Sequence, residues 1–169
     1  METLKAILTR RSIRKYIDNV IPGEYYEIML KAAMHAPSAR NRQPWHFIVV
    51  TDRTILNKLS EVSPSWKMLD EAASAFVVCG DTSLEDAESF IIQDCSAATQ
   101  NILLAAHELG LGSVWLGVHP REDRLHPLKE ILKIPEHVLP VSMISLGKPD
   151  ESREQPDRYN VERIHQDKW

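Results

Sequence analysis

Between Glu85 and Leu109 the chain carries its longest periodic segment, about 25 residues, or roughly 37 Å if wholly helical. Ala87, Phe90, Ile91, Cys95, Ala98, Ile102, Ala105, Ala106 and Leu109 recur at helical spacing and form one apolar stripe. Ile92, Leu103 and Leu104 widen the stripe beyond what one sheet face covers, so this helix needs a second apolar partner. In a chain of 169 residues that partner is either the monomer's own core or another subunit, and Ser96, Ala97 and Ala98 are small enough for helices to approach closely. Gly110 stands where the helix would end in a left-handed cap, and Gly112 opens the run Ser113 to Val118, read as a strand.

Other elements follow from the same patterning. Leu4 to Leu8 and Gly23 to Ala36 read as helices, the second entered through Pro22. Phe47 to Thr51 and Ala75 to Gly80 are β-branched or apolar throughout, as expected of strands covered on both faces. Arg53 to Val62 is a modest amphipathic helix, followed by a turn or short helix at Pro64 to Lys67. Pro120 to Ile134 is a short helix open to interruption at Pro127, and Val138 to Leu146 a fourth strand. From 149 to 169 the chain is charged and poor in apolar residues, which predicts an arm.

Two polar stretches interrupt this scaffold. Pro37-Ser38-Ala39-Arg40-Asn41-Arg42-Gln43-Pro44-Trp45 lies between a helix and a strand, and its two prolines disfavour helix and stiffen the backbone. The hydroxyl of Ser38 and the amides of Asn41 and Gln43 donate and accept, which suits a polar heterocycle, although a surface connection has the same composition. Arg10-Arg11-Ser12-Ile13-Arg14-Lys15 is a basic knot. It is either a solvated turn or a phosphate site, because guanidinium grips two oxygens at once. Gly117, within a strand pattern, marks either a β-bulge or a close approach of backbone to ligand.

With 24 acidic and 20 basic residues the net charge is −4, which argues against nucleic-acid binding driven by overall charge. The arginines at 10, 11, 14, 40 and 42 lack the aromatic interleaving that base stacking requires. Cys79 and Cys95 sit in apolar runs and form no C-x-x-C, so both read as reduced core residues in a cytoplasmic protein. Neither a cleavable leader nor an apolar run of membrane length is apparent. The seven histidines form neither H-E-x-x-H nor a zinc spacing, and no catalytic metal is expected. A nucleophile elbow is absent, and no isolated carboxylate pair stands out. The glycines at 110 and 112 run from helix to strand, the reverse of a dinucleotide fingerprint, and Gly147-Lys148 lacks the rest of a P-loop. Binding groups without a catalytic side chain point to a protein whose cofactor performs the chemistry.

Taken together, Arg10-Arg11-Ser12-Ile13-Arg14, the loop Pro37 to Trp45, Gly110-Leu111-Gly112-Ser113 leading to Leu116-Gly117, and Arg158-Tyr159 resemble, in order and spacing along nearly the whole chain, the nitroreductase family. The resemblance implies one α+β domain over residues 1–169: a central, mostly antiparallel sheet flanked by helices, assembled as an intertwined homodimer with two shared FMN sites. It implies that Arg10, Ser12, Arg14 and Arg158 hold the FMN phosphate and ribityl end, with the Arg11 backbone near the ring. Pro37, Ser38, Ala39, Asn41 and Gln43 would cover the ring from the other subunit, and the Leu116-Gly117 backbone would meet flavin N5. The implied reaction passes hydride from NAD(P)H through FMN to a nitroaromatic, a quinone or a similar acceptor. Some members instead consume the flavin or dehalogenate, and a flavin sensor is a further alternative. Compared with longer members, this chain has no room for a large helical excursion over the flavin, and Leu116 stands where some relatives carry an acid.

Overall fold

The computed structural model describes residues 2–18 and 20–169. Its helices are α1 (Thr3–Thr9), α2 (Gly23–Met34), α3 (Arg53–Val62), α4 (Glu88–Glu108) and α5 (Glu122–Leu132), and its strands are β1 (Tyr16–Ile17), β2 (Trp45–Val50), β3 (Ser74–Asp81), β4 (Gly112–Gly117) and β5 (Val138–Pro149). Every ladder between these strands is antiparallel. β5 is the centre of the sheet. Residues 142–146 pair with both β3 and β4, so these two strands flank β5 on opposite sides, with β2 beyond β3. The mixture of helices and antiparallel sheet is the α+β architecture expected from the sequence.

Both faces of the sheet are covered, which explains why β3 is buried almost from end to end. On one face Met29 and Ala33 of α2, with Ile91, Cys95, Ala98, Ile102 and Ala106 of α4, join Phe76, Val78, Ile144 and Leu146. On the other, Leu56 and Leu59 of α3, Trp66, and Leu125 and Leu128 of α5 join the alternate strand residues Ala75, Val77, Val114, Leu116 and Met143. Cys79 and Cys95 are buried and unbridged, one in each cluster. Burial pushes the Cys79 thiol up to about 12, which keeps it protonated and inert.

Several boundaries differ from the sequence reading. α4 starts at Glu88, because Glu85 is buried in the preceding turn and carries an ion pair described below. Part of its second apolar face is met within the chain by α2, where the Asn101 side chain also donates to the Ala32 carbonyl. The helix ends as predicted: Gly110 has φ 75°, and Leu111 and Gly110 donate to the Ala106 and His107 carbonyls. α5 continues through Pro127 without a break. β1 has no counterpart in the sequence reading. Two residues carry no periodicity, and β1 exists because the Tyr16 ring packs over Gly147 and its hydroxyl bonds Ser145 Oγ at 2.6 Å. The final strand runs to Pro149, so the arm begins at Asp150, and every residue from Ser152 onward is exposed. Among the described residues no helix is long and apolar enough to cross a membrane.

Candidate functional site

The edge of β4 organises the site. Ser113 gives its carbonyl to the Ile13 amide at 3.0 Å, so the knot at residues 11–13 runs alongside the start of β4 as a short parallel bridge. In an antiparallel ladder, backbone groups point alternately towards and away from the partner strand. Ser113 faces away from β5, and Trp115 and Gly117 therefore do so as well. At Gly117 the outward carbonyl accepts from Arg124 Nη1 at 2.6 Å, which leaves the Gly117 N–H facing the open edge. The Leu116 side chain is buried in the core, so this segment offers only backbone to a ligand.

The knot and the arm enclose a cleft of about 660 Å³ lined by Arg10, Arg11, Ser12, Arg14, Arg153 and Arg158. Arg11 is committed to structure, since its guanidinium donates to the carbonyls of Leu8, Arg10 and Glu154. Among the described residues, no intramolecular hydrogen bond or ion pair engages the guanidinium groups of Arg10, Arg14 or Arg158. Burial, then repulsion from Arg11 and Arg158, holds the Arg10 pKa below its ordinary value. Arginines that outnumber the carboxylates beside them, here Glu154 and the Arg153-paired Glu151, favour the arrival of an anion. Glu151 lies next to the cleft, lining a neighbouring hollow with Arg10, Arg11 and Arg153. It accepts from the Arg14 amide at 2.6 Å and pairs with Arg153 at 2.6 Å, and the amide bond is the main reason its pKa is lowered.

Pro37 to Pro44 lies elsewhere. Contrary to the expectation of a non-helical loop, Ala39–Asn41 form a single 3-10 turn, and Arg40, Asn41 and Gln43 adopt φ of 53°, 55° and 51°. Such conformations cost about 1 kcal/mol or more each for residues with a side chain. Buried acids hold them in place. Asp94 of α4 accepts from the Ala39 amide at 3.0 and 3.2 Å, and Glu85 takes the Arg40 guanidinium at 2.7 and 2.9 Å. The Gln43 amide donates to Ser38 Oγ at 3.0 Å, and Asn41 and Gln43 point into solvent. Burial raises the Asp94 pKa, the Ala39 amide opposes that shift, and Glu85 adds to it.

Arg10, Arg11, Ser12, Arg14 and Arg158 thus meet in one cleft, whereas Pro37, Ser38, Ala39, Asn41 and Gln43 form a separate surface. Their separation has a simple cause. The loop is anchored at Asp94 near the start of α4, and the knot at His107 near its end, where His107 Nε2 and Thr9 Oγ1 are 2.8 Å apart. Thirteen helical steps, roughly 20 Å, separate these anchors. Leu116 and Gly117 occupy a third position, four residues or roughly 13 Å along β4 from Ser113. Sequence reasoning missed Glu85, Asp94 and Arg124. For Asp94 a signal existed: a carboxylate sits between Ile91 and Ala98 on the apolar stripe, where only a bound acid is tolerated.

Glycine geometry separates structure from function along the sheet. A Cβ on Gly112 would lie 2.7 Å from Ile13, and one on Gly147 2.7 Å from Tyr16, so packing within the chain requires both glycines. At Gly117 the nearest atom would be Arg124 Nη1 at 3.8 Å, an ordinary contact, and the β4–β5 register shows no bulge. Neither the bulge nor an intrachain crowding explains this glycine.

Comparison with known proteins places this geometry. The nitroreductase family model matches residues 7–65 and 57–148. A protein of Archaeoglobus fulgidus, provisionally named an NADH dehydrogenase/NAD(P)H nitroreductase, is 55% identical over 172 residues, covering 99% of each chain. A crystal structure from Parabacteroides distasonis with the same provisional name superposes with a TM-score of 0.95 at 43% identity, over 99% of this chain and 98% of that one. The FMN-dependent nitroreductase of Clostridium difficile gives a TM-score of 0.91 at 33% identity, over 99% of this chain and 100% of that one. With the family model matching most of its length and a relative this similar from end to end, the chain belongs to the nitroreductase family.

Proposed function

We propose that the chain is an FMN-dependent oxidoreductase that moves hydride from NADH or NADPH to an electron-poor acceptor such as a nitroaromatic or a quinone. The carrying observation is the β4 edge. An arginine-rich cleft, three of whose guanidinium groups have no partner among the described residues, lies at one end, and further along stands a glycine whose N–H faces outward and whose missing side chain nothing in the chain demands. That donor set fits a ligand with an anionic tail and a flat polar head. Arg10, Ser12, Arg14 and Arg158 would take the phosphate and ribityl end, with the Arg11 backbone beside the ring. The Leu116-Gly117 backbone would lie along the ring and direct a peptide N–H at it. When bound, FMN supplies the redox chemistry by accepting hydride and passing it on.

The anchoring of loop and cleft at opposite ends of α4 supports a site shared between two copies. Pro37, Ser38, Ala39, Asn41 and Gln43 would come from the second copy, and the protein would be a homodimer with two shared sites. Exposed apolar groups support this assembly: Leu4 and Leu8 of α1 are 72% and 67% exposed, and the arm presents Tyr159, Val161, Ile164 and Trp169 to solvent. Residues 1–169 are read as one unit with a docking arm, and the unbridged thiols suit the reducing cytoplasm.

In the test, purified protein is reconstituted with FMN, freed of excess by gel filtration, and mixed anaerobically with NADH or NADPH. Co-elution of flavin and bleaching of its absorbance are expected. A colourless protein after reconstitution overturns the reading, and bound flavin that neither nucleotide reduces leaves a flavoprotein with a different reaction. Sedimentation of the loaded protein as a monomer would refute the shared site.

A further inference from the structure

Arg124 touches the site described above only through the Gly117 carbonyl. It lies in the first turn of α5 and reaches across to the β4 edge, where Nη1 donates to the Gly117 carbonyl at 2.6 Å and Nη2 to Ser65 Oγ at 3.0 Å. Its guanidinium carbon lies 5.6 Å from the centroid of the fully buried Trp66 ring. Ser65 is itself held by Ser63, 2.9 Å between hydroxyl oxygens, so the grip on Gly117 runs back to the end of α3. The group is half-buried, and its Nε is enclosed without a partner.

Unlike Arg40 and Arg153, Arg124 has no carboxylate within ion-pair distance among the described residues; the adjacent Asp123 pairs with Arg121 instead, at 3.3 Å. A half-buried charge with no carboxylate at ion-pair distance is a poor choice for merely joining two elements, since its desolvation is costly. It is a good choice for projecting positive potential through the end of β4. Hydrogen bonding from a cation also polarises the peptide that follows Gly117 and fixes the plane of the strand where its ladder stops.

We infer that Arg124 is a positioning residue of the flavin site: it sets the Gly117 backbone and places a positive charge behind it, which favours the electron-rich form of the bound ring. This rests on the flavin reading above. A cation near the ring binds reduced FMN more tightly than oxidised FMN, and its removal lowers the midpoint potential.

The experiment compares FMN-loaded wild type with Arg124→Gln and Arg124→Lys, measuring the midpoint potential of bound FMN and the dissociation constant of oxidised FMN. Arg124→Gln is expected to cut the preference for reduced over oxidised FMN about tenfold, a potential lower by about 30 mV for a two-electron couple. Its affinity for oxidised FMN should stay within about threefold of wild type. Arg124→Lys keeps the charge and is expected to retain most of the wild-type potential. A glutamine variant that holds FMN at the wild-type potential overturns the inference while leaving the flavin reading intact. A lysine variant shifted as far as the glutamine variant also overturns it, because geometry would then matter and charge would not. Should Arg124→Gln fail to fold, Arg124→Met takes its place, with the same lowered potential expected and a wild-type potential overturning the inference. Wild-type protein that binds no FMN defeats the flavin reading itself.

Discussion

At the scale of single residues, two kinds of charged group serve the two candidate surfaces and play opposite parts. Glu85 and Asp94 are buried, fully engaged and hold the loop; Arg14 and Arg158 are exposed at the cleft, their guanidinium groups without a partner among the described residues. Their replacements should therefore fail differently. Arg14→Ala or Arg158→Ala should weaken FMN binding by about 1.5–3 kcal/mol, roughly 10- to 150-fold, with little change in the melting temperature of the apoprotein. Fluorescence titration with FMN and a thermal melt check both parts, and unchanged affinity in both variants would mean that the phosphate is held elsewhere. Arg14 stood out in the sequence because a dense knot of like charge demands an explanation, whereas Arg158 was joined to it only through the family resemblance. Glu85 and Asp94 were hidden because the reading followed the apolar stripe and passed over the acid inside it.

Elements divide along similar lines. The apolar runs of β2, β3 and β5 and the long stripe of α4 announced themselves, since burial on both faces leaves an unbroken hydrophobic signal. β1 and the 3-10 turn at Ala39–Asn41 did not, because tertiary contacts create them: Tyr16 against Gly147, and Ala39 against Asp94. The strand glycines give a contrast within one sheet. Gly147→Ala should cost about 1–3 kcal/mol of stability by overpacking Tyr16, whereas Gly117→Ala should leave the melting temperature close to wild type and disturb only the spectrum and affinity of bound FMN. A large loss of stability in Gly117→Ala would return that glycine to a purely structural role.

The end of α4 also carries a pH response. Burial first, then Arg10 and Arg11, depress the His107 pKa below 6.5, against an upward pull from Glu108. The folded state then binds a proton less readily than the unfolded state. Its stabilising effect is complete above the ordinary value near 6.5 and is lost as pH falls towards the depressed one. An anion in the cleft offsets the field of Arg10 and Arg11, so the His107 pKa should rise when inorganic phosphate or FMN binds. NMR titration of the His107 ring with and without phosphate measures this directly, and a fall on binding would contradict it.

On the scale of the whole molecule, periodicity and composition revealed the individual strands and helices and the charged arm, while the single central sheet was implied only by the family resemblance. The shared site we propose was likewise implied only by that resemblance, since no local pattern encodes the distance between Asp94 and His107. That distance is set only once α4 has formed and both its ends are occupied. The exposed apolar groups of α1 and the arm then read as surfaces awaiting a second chain.

The proposed division of one site between the two ends of a single helix has a genetic consequence. Under that proposal, a chain damaged in the cleft by Arg14→Ala and a chain damaged in the loop by Asp94→Ala would each form homodimers with two spoiled sites. Mixed in one dimer, they restore one site made wholly of sound halves and concentrate both lesions in the other. Co-expressed variants carrying different affinity tags, purified as the heterodimer, should bind one FMN per dimer with near wild-type affinity, and none at the second site. Recovery absent from the heterodimer would show that each copy builds its site alone.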